Sequence, residues 1–144
     1  MRKWKCLLFA ICACCLFGCS SSSVSKTFST STDDQVKITL SPSKGYTIDG
    51  TIDFSIKKGK DSVAHGIFQD GTMFDTYKEN LKNAEIISKG TKDGNEYIAW
   101  SGADGWNAII KLRKTDHCLI ISDTKSEENL KQILEIMDVS ISEK

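Results

Sequence analysis

The stretch from Glu96 to Arg113, EYIAWSGADGWNAIIKLR, decides how this chain folds. Two runs rich in β-branched and aromatic residues flank Ser101 to Gly105, a segment with two glycines and an aspartate. This pattern predicts a β-hairpin. With those five residues as the loop, Trp100 lies opposite Trp106. Both rings then share one face with four smaller apolar residues: Ile98, Ala108, Ile110 and Leu112.

Alternating apolar residues extend the hairpin into a sheet. His117 to Ser122 reads as the next strand, and Val139 to Ile141 as a short last one. Three earlier strands are predicted from period-two sets with one buried face. These sets are Val36, Ile38 and Leu40; Ile52, Phe54 and Ile56; and Val63, His65 and Ile67.

Two segments have helical spacing instead. Thr72 with Asp75 gives a capping-box-like start to a helix through about Lys82, and Thr124 with Glu127 gives a capping box for a second helix. The apolar stripes are Phe74, Tyr77 and Leu81, and then Leu130, Ile133, Leu134 and Met137. The sequence therefore predicts one α+β domain, residues 36–144, with an antiparallel sheet and both helices packed on one face.

The first nineteen residues form a different kind of segment. Three basic residues precede an apolar run from Cys6 to Phe17, which is too short to cross a bilayer permanently and is typical of a secretory signal. Leu16-Phe17-Gly18-Cys19 resembles the bacterial lipobox. This resemblance implies that residues 1–18 are removed and that Cys19 is lipidated. Two acyl chains on Cys19 would hold the protein at the extracytoplasmic face of the cell membrane.

Composition limits the partners. Residues 20–35 contain seven serines and three threonines, which predicts a flexible tether of roughly 20 to 24 Å for residues 19–35. The chain has 19 basic and 19 acidic residues, and loss of Arg2, Lys3 and Lys5 with the leader makes the remainder acidic by three charges. An acidic balance argues against nucleic acid as a partner and against adhesion to anionic lipid by charge alone.

The closing pattern of the chain resembles the PsbP-like fold. The resemblance rests on element order and on Glu127 to Leu134 followed by Val139 and Ile141. It implies a binding or accessory module more than an enzyme. Folds host unrelated functions, so the resemblance leaves the ligand open.

Cys118 is the one cysteine that stays in the folded part, and no intramolecular disulfide is therefore expected. Its neighbour His117 would point to the opposite face of a strand, which leaves His65 as a possible base for a thiol enzyme. The alternative is a buried, inert cysteine beside Leu119 to Ile121.

Other candidate chemistry is sparse. Two histidines without tight Cys/His spacing predict no metal site, and neither a phosphate loop nor a cofactor motif is present in the sequence. Trp100, Trp106 and Asp104 could form a ligand or partner surface at the hairpin tip, or the two rings could belong to the core. The scattered carboxylates suit a solvated surface: Asp49, Asp53, Asp70 and Asp75.

Three functions are consistent with these sequence features. We expect first a non-enzymatic, lipid-anchored module that contacts a protein or a component of the cell envelope. A small cell-envelope enzyme that uses Cys118 or a carboxylate is the second. A small-ligand carrier is the third, and it requires an apolar cavity between the sheet and the helices.

Overall fold

A computed structural model describes residues 22–142 of the 144-residue chain. The strands and helices follow one another with short connections. They are β1 (Val24–Ser29), β2 (Gln35–Leu40), β3 (Tyr46–Gly50), β4 (Phe54–Lys58), β5 (Asp61–Asp70), α1 (Thr72–Asn80), a 3-10 turn (Leu81–Asn83), β6 (Glu85–Lys92), β7 (Asn95–Gly102), β8 (Gly105–Lys111), β9 (His117–Thr124), α2 (Glu127–Ile136) and β10 (Met137–Ser142).

The strands form two antiparallel sheets. One has three strands in the order β1-β2-β10, and the other has seven in the order β3-β4-β5-β9-β8-β7-β6. The predicted antiparallel pairing is confirmed. The domain contains more strand than the α+β prediction implied, because two sheets are present and only two short helices accompany them.

The apolar side chains form two clusters on opposite faces of the seven-stranded sheet. Leu130 and Ile133 of α2 belong to the larger cluster with Ile110, whereas Phe74 of α1 belongs to the smaller one with Ile109. Successive strand residues point to opposite faces, so the two helices cover opposite faces of β8. The prediction that both helices pack on one face is wrong.

The domain begins earlier than predicted. Residues 24–29, which we expected to belong to the tether, form edge strand β1 and pair with β2 from Val24↔Leu40 to Ser29↔Gln35. Phe28 is 1% exposed and stacks on Phe54 with ring centroids 4.9 Å apart. Val24 also packs against this core, whereas Ser25, Thr27 and Ser29 are exposed. The pairing with β2 and these two apolar side chains stabilise the edge strand.

Three local predictions fail at the ends of elements. Ile52 is 78% exposed in the β3–β4 turn, because the strand resumes only at Phe54. Thr72 does not cap α1, since its hydroxyl and backbone N–H both donate to the Asp70 carboxylate. Thr124 does not cap α2 either, because its hydroxyl donates to the carbonyl oxygen of Trp106.

The cap of α2 is Ser126 instead. Its hydroxyl oxygen accepts a hydrogen bond of 3.1 Å from the backbone N–H of Asn129. An oxygen acceptor at this position satisfies one of the unpaired N–H groups of the first turn. The predicted strands at Val36–Leu40, His117–Ser122 and Val139–Ile141 are confirmed, with bounds shifted by a few residues at most.

Candidate functional site

The two tryptophans of the central hairpin lie on opposite faces. The hairpin is present, but its loop is the pair Ala103-Asp104, and Trp100 lies opposite Asn107 rather than Trp106. Trp100 is 8% exposed and packs with the smaller cluster, whereas Trp106 is half-buried against the larger one. Shifting the register of a strand pair by one residue moves the side chains of one strand to the other face of the sheet. The two rings, which would share a face if Trp100 lay opposite Trp106, therefore lie on opposite faces.

The predicted surface of Trp100, Trp106 and Asp104 is therefore not formed as a unit. Tyr77 of α1 covers Trp100, with ring centroids 5.3 Å apart. Asp104 is exposed at the tip of the hairpin. Only Trp106 and Asp104 keep access to solvent, so this tip offers no pair of aromatic rings that could stack on a ligand.

Cys118 is enclosed beneath α1. Its side chain is 0% exposed, and its thiol donates to the carbonyl oxygen of Asp70 over 3.3 Å. Burial, followed by the nearby Asp70 carboxylate, raises the pKa of the Cys118 thiol to about 11. A thiol of this kind stays protonated at neutral pH and is a poor nucleophile.

Neither histidine can activate that thiol. His65 pairs with Ser122, four positions along β9 from Cys118 and so about 13 Å away. His117 points to the other face, where its Nε2 lies 2.8 Å from the hydroxyl of Thr32. The arrangement lacks the nucleophile and base contact that a thiol enzyme needs.

The carboxylates singled out in the sequence are separate from one another. Lys57 Nζ lies 2.7 Å from Asp49, His65 3.3 Å from Asp53, and Lys111 3.6 Å from Asp75. The lysine beside Asp49 lowers the pKa of that carboxyl. Hydrogen bonds from Thr72 lower the pKa of Asp70. Within residues 22–142 no group of three or more His, Cys, Asp or Glu side chains could hold a metal ion.

A cleft beside α2 has a mostly apolar lining. Its volume is about 430 Å³. We call it the α2 cleft; it lies between the last turns of α2, the start of β10 and strands β6 to β8. Its lining residues are Ser88, Thr91, Lys92, Asp93, Asn95, Tyr97, Ile110, Lys131, Leu134, Glu135, Met137 and Val139.

Lys92 and Asn95 hold the two sides of the α2 cleft together. Lys92 Nζ donates to the carbonyl oxygens of Leu134, Glu135 and Met137 over 2.8, 2.7 and 2.8 Å. A cation at the C-terminus of a helix satisfies unpaired carbonyls and complements the helix dipole. Asn95 is buried and donates to the carbonyl oxygen of Val139 over 3.2 Å. The walls of the cleft are thus joined by bonds between distant parts of the sequence.

The cleft also contains a pair of hydroxyl groups. Ser88 Oγ and the Tyr97 phenol oxygen lie 2.9 Å apart. The sequence analysis predicts no functional role for any lining residue. It places Ile110, Leu134, Met137 and Val139 on apolar faces of the core. Lys92 and Leu134 are 42 positions apart, and no local pattern predicts that they meet.

Three other clefts are larger but more polar. One of about 670 Å³ lies between α1 and β6, one of about 660 Å³ lies where the β1–β2 turn approaches His117, and one of about 470 Å³ lies beside Asp34 and Lys114. Their linings are less apolar than that of the α2 cleft, so they resemble the ligand pockets of proteins less closely.

The predicted leader and the Leu16-Phe17-Gly18-Cys19 motif lie outside the described residues. None of the helices between Ser22 and Ser142 is long and apolar enough to cross a membrane. Comparison with known proteins finds no matching family model, no matching curated protein and no matching solved structure.

Proposed function

We propose that this protein is a lipid-anchored, extracytoplasmic binding module without catalysis of its own, and that it holds a small, mostly apolar ligand in the α2 cleft. The observation that carries the proposal is the cleft itself, about 430 Å³ of mostly apolar space between α2 and the sheet. Ligand pockets of proteins begin at about 300 Å³ and are lined in this way. The lipobox-like motif ending at Cys19 supports the anchor.

The polar groups of the cleft limit the chemistry of the ligand. The three donated bonds of Lys92 use the three protons of its ammonium group. Asn95 is likewise occupied, since its amide oxygen accepts from the backbone N–H of Arg113 over 2.8 Å. The bond between Ser88 and Tyr97 uses one of their two hydroxyl protons. The remaining hydroxyl proton can donate to one acceptor on a mostly apolar ligand, such as a carbonyl or an ether oxygen.

The other two functions have less support. The enzyme alternative needs Cys118 or a carboxylate pair, and the buried thiol and separate carboxylates described above argue against both. A module that contacts a protein or an envelope component through its surface is compatible with the anchor and with the PsbP-like resemblance. The α2 cleft favours a small ligand, because a contact with a flat surface would not need a concave apolar cleft.

Dye binding tests the cleft. N-phenyl-1-naphthylamine is a neutral apolar probe whose fluorescence rises on burial, and we expect it to bind at one saturable site. Leu134→Trp fills the cleft from α2 and should abolish this binding. Ile86→Trp is the matched control, because Ile86 lies on β6 outside the cleft and is 37% exposed. Equal binding by both variants at unchanged stability would contradict the proposed site.

Mass spectrometry tests the anchor. The purified mature protein should begin at Cys19 and carry the mass of a diacylglyceryl group on that residue. An unmodified thiol at Cys19 or an intact leader would overturn the lipid anchor, whatever the result at the α2 cleft.

A further inference from the structure

The described chain begins at a fixed point on the surface of the domain. The backbone N–H of Ser43 donates to the carbonyl oxygen of Ser22 over 2.6 Å, and the two hydroxyls lie 2.8 Å apart. Ser43 is 8% exposed, so this contact belongs to the folded domain. Cys19 precedes Ser22 by three residues, which limits the distance between their Cα atoms to about 11 Å. A lipid on Cys19 would therefore place the Ser22–Ser43 contact near the bilayer surface.

Three exposed lysines surround this contact. Lys44 follows Ser43 directly, and the backbone N–H of Gly59 donates to the carbonyl oxygen of Gly45 over 3.3 Å. That bond brings the β4–β5 turn, with Lys58 and Lys60, beside the β2–β3 loop. We call Lys44, Lys58 and Lys60 the basic end.

Acidic side chains near the basic end are few. Asp49 is neutralised by Lys57, whose Nζ lies 2.7 Å away. Asp61 follows Lys60 and is the remaining carboxylate of these two segments. The β2–β3 loop and the β4–β5 turn together carry three lysines and one carboxylate, although the chain after the predicted leader is acidic overall.

Several carboxylates, together with Lys114, lie at the far end of β1. Strand β1 carries the chain about 20 Å away from Ser22 to the turn that contains Asp33 and Asp34. The hydrogen bond between Thr32 and His117 joins this turn to the start of β9. Two further exposed residues, Asp70 and Asp116, line the cleft of about 660 Å³ beside this turn.

We propose that the basic end is a membrane-docking surface that binds the anionic phosphates of phospholipid headgroups. The proposal rests on the lipid anchor at Cys19, which brings these lysines to the bilayer. The potential of an anionic membrane decays over a Debye length, about 8 to 10 Å at physiological salt. The basic end lies within reach of that field, whereas the turn that contains Asp33 and Asp34 lies beyond it. The domain therefore turns its basic end toward the anionic membrane. Its adhesion to the membrane depends on these lysines and not on the total charge of the protein.

Hydrogen–deuterium exchange of the mature, lipid-modified protein on vesicles tests this surface. On vesicles of phosphatidylcholine with phosphatidylglycerol, the amides of residues 41–45 and 57–61 should exchange more slowly than on phosphatidylcholine alone. Amides of residues 30–34 and 113–117 should not differ between the two. High salt should remove the protection, because the attraction is electrostatic.

Matched variants assign the effect to the basic end. Replacing Lys44, Lys58 and Lys60 together by glutamine should abolish the protection, and each lysine that reaches the headgroups should account for about fivefold in docking equilibrium. The control replaces three lysines elsewhere on the surface, Lys37, Lys82 and Lys89, by glutamine. The control variant should behave as the parent protein.

The two proposals fail separately in this experiment. Retention on phosphatidylcholine vesicles reports only on the lipid anchor, so loss of retention overturns the anchor. Normal retention with no difference between the two lipid mixtures overturns the docking surface. Protection by soluble polyphosphate on phosphatidylcholine vesicles, with none from phosphatidylglycerol, would make a free polyanion the ligand and would also overturn the membrane assignment.

Discussion

The ammonium group of Lys92 donates a hydrogen bond of 2.8 Å to the carbonyl oxygen of Leu134, in the last turn of α2. Together with the bonds to Glu135 and Met137, this contact ties the β6–β7 turn to the C-terminal end of the helix. It closes one side of the α2 cleft. The shape of the proposed ligand site therefore depends on one side chain that is far from α2 in the sequence.

Replacing Lys92 by methionine should lower the free energy of unfolding by about 1 to 2 kcal/mol. The substitution keeps most of the aliphatic stem but leaves three carbonyl groups without their charged donor. Urea denaturation of the variant measures the loss. Lys89→Met, on the same strand, is the control, because Lys89 lines the cleft between α1 and β6 instead. Equal stabilities for the two variants would show that Lys92 does not hold α2.

Gly66→Ala should destabilise the protein by about 1 to 3 kcal/mol or more. A Cβ at Gly66 would lie 2.2 Å from Cζ of Phe54, whose ring is fixed in the core against Phe28. Gly90→Ala is the control, because a Cβ there would lie 3.6 Å from the Tyr97 ring, an ordinary van der Waals distance. Thermal unfolding should separate the two variants clearly. A Gly66→Ala protein as stable as Gly90→Ala would mean that Phe54 packs differently.

Cys118 should react slowly with iodoacetamide in the native protein at pH 8 and quickly after unfolding. Its pKa is about 11 in the folded chain and 9.0 ordinarily. Between these values the unfolded chain releases the thiol proton and the folded chain keeps it. The free energy of unfolding therefore falls as the pH rises from about 9 to 11.

The control for this pH dependence is Cys118→Ala, in which all other titrating groups are retained. The stability of the parent protein should decline relative to that variant across the same pH window. Rapid labelling of the folded protein at neutral pH would instead reopen the thiol-enzyme hypothesis.

Iodide should quench the two hairpin tryptophans unequally. The one other tryptophan of the chain, Trp4, belongs to the predicted leader and would be absent from the mature protein. With Trp106→Phe, the remaining Trp100 is 8% exposed beneath Tyr77 and should be quenched weakly. With Trp100→Phe, the half-buried Trp106 should be quenched more strongly. Equal quenching constants would support the register expected from the sequence, in which both rings share a face.

The contrast between β2 and β1 shows how far local patterns can lead. Val36, Ile38 and Leu40 alternate so regularly that the strand follows from them, and all three are fully buried. The serines and threonines of β1 offer little to bury, and the sequence therefore predicts a tether there. Its order comes from the ladder that β2 presents and from the pocket that receives Phe28.

The hairpin illustrates a finer limit. Its existence follows from the glycines and the flanking apolar runs, but its register depends on whether two or five residues form the loop. Both faces of β7 and β8 are covered by apolar clusters, so hydrophobicity alone does not choose between the registers. The packing of α1 against Ile109 and of α2 against Ile110 decides it.

Local patterns in the sequence predict the types of most elements and the antiparallel pairing, because these depend on neighbours a few residues apart. The sequence also offers a buried Cys118 as one of two alternatives, whereas the α2 cleft and the basic end exist only in the packed fold. Each of them joins side chains that lie far apart in the chain, as Lys92 and Leu134 do across 42 positions. Such contacts depend on how whole elements pack, and periodicity and propensity carry no information about that.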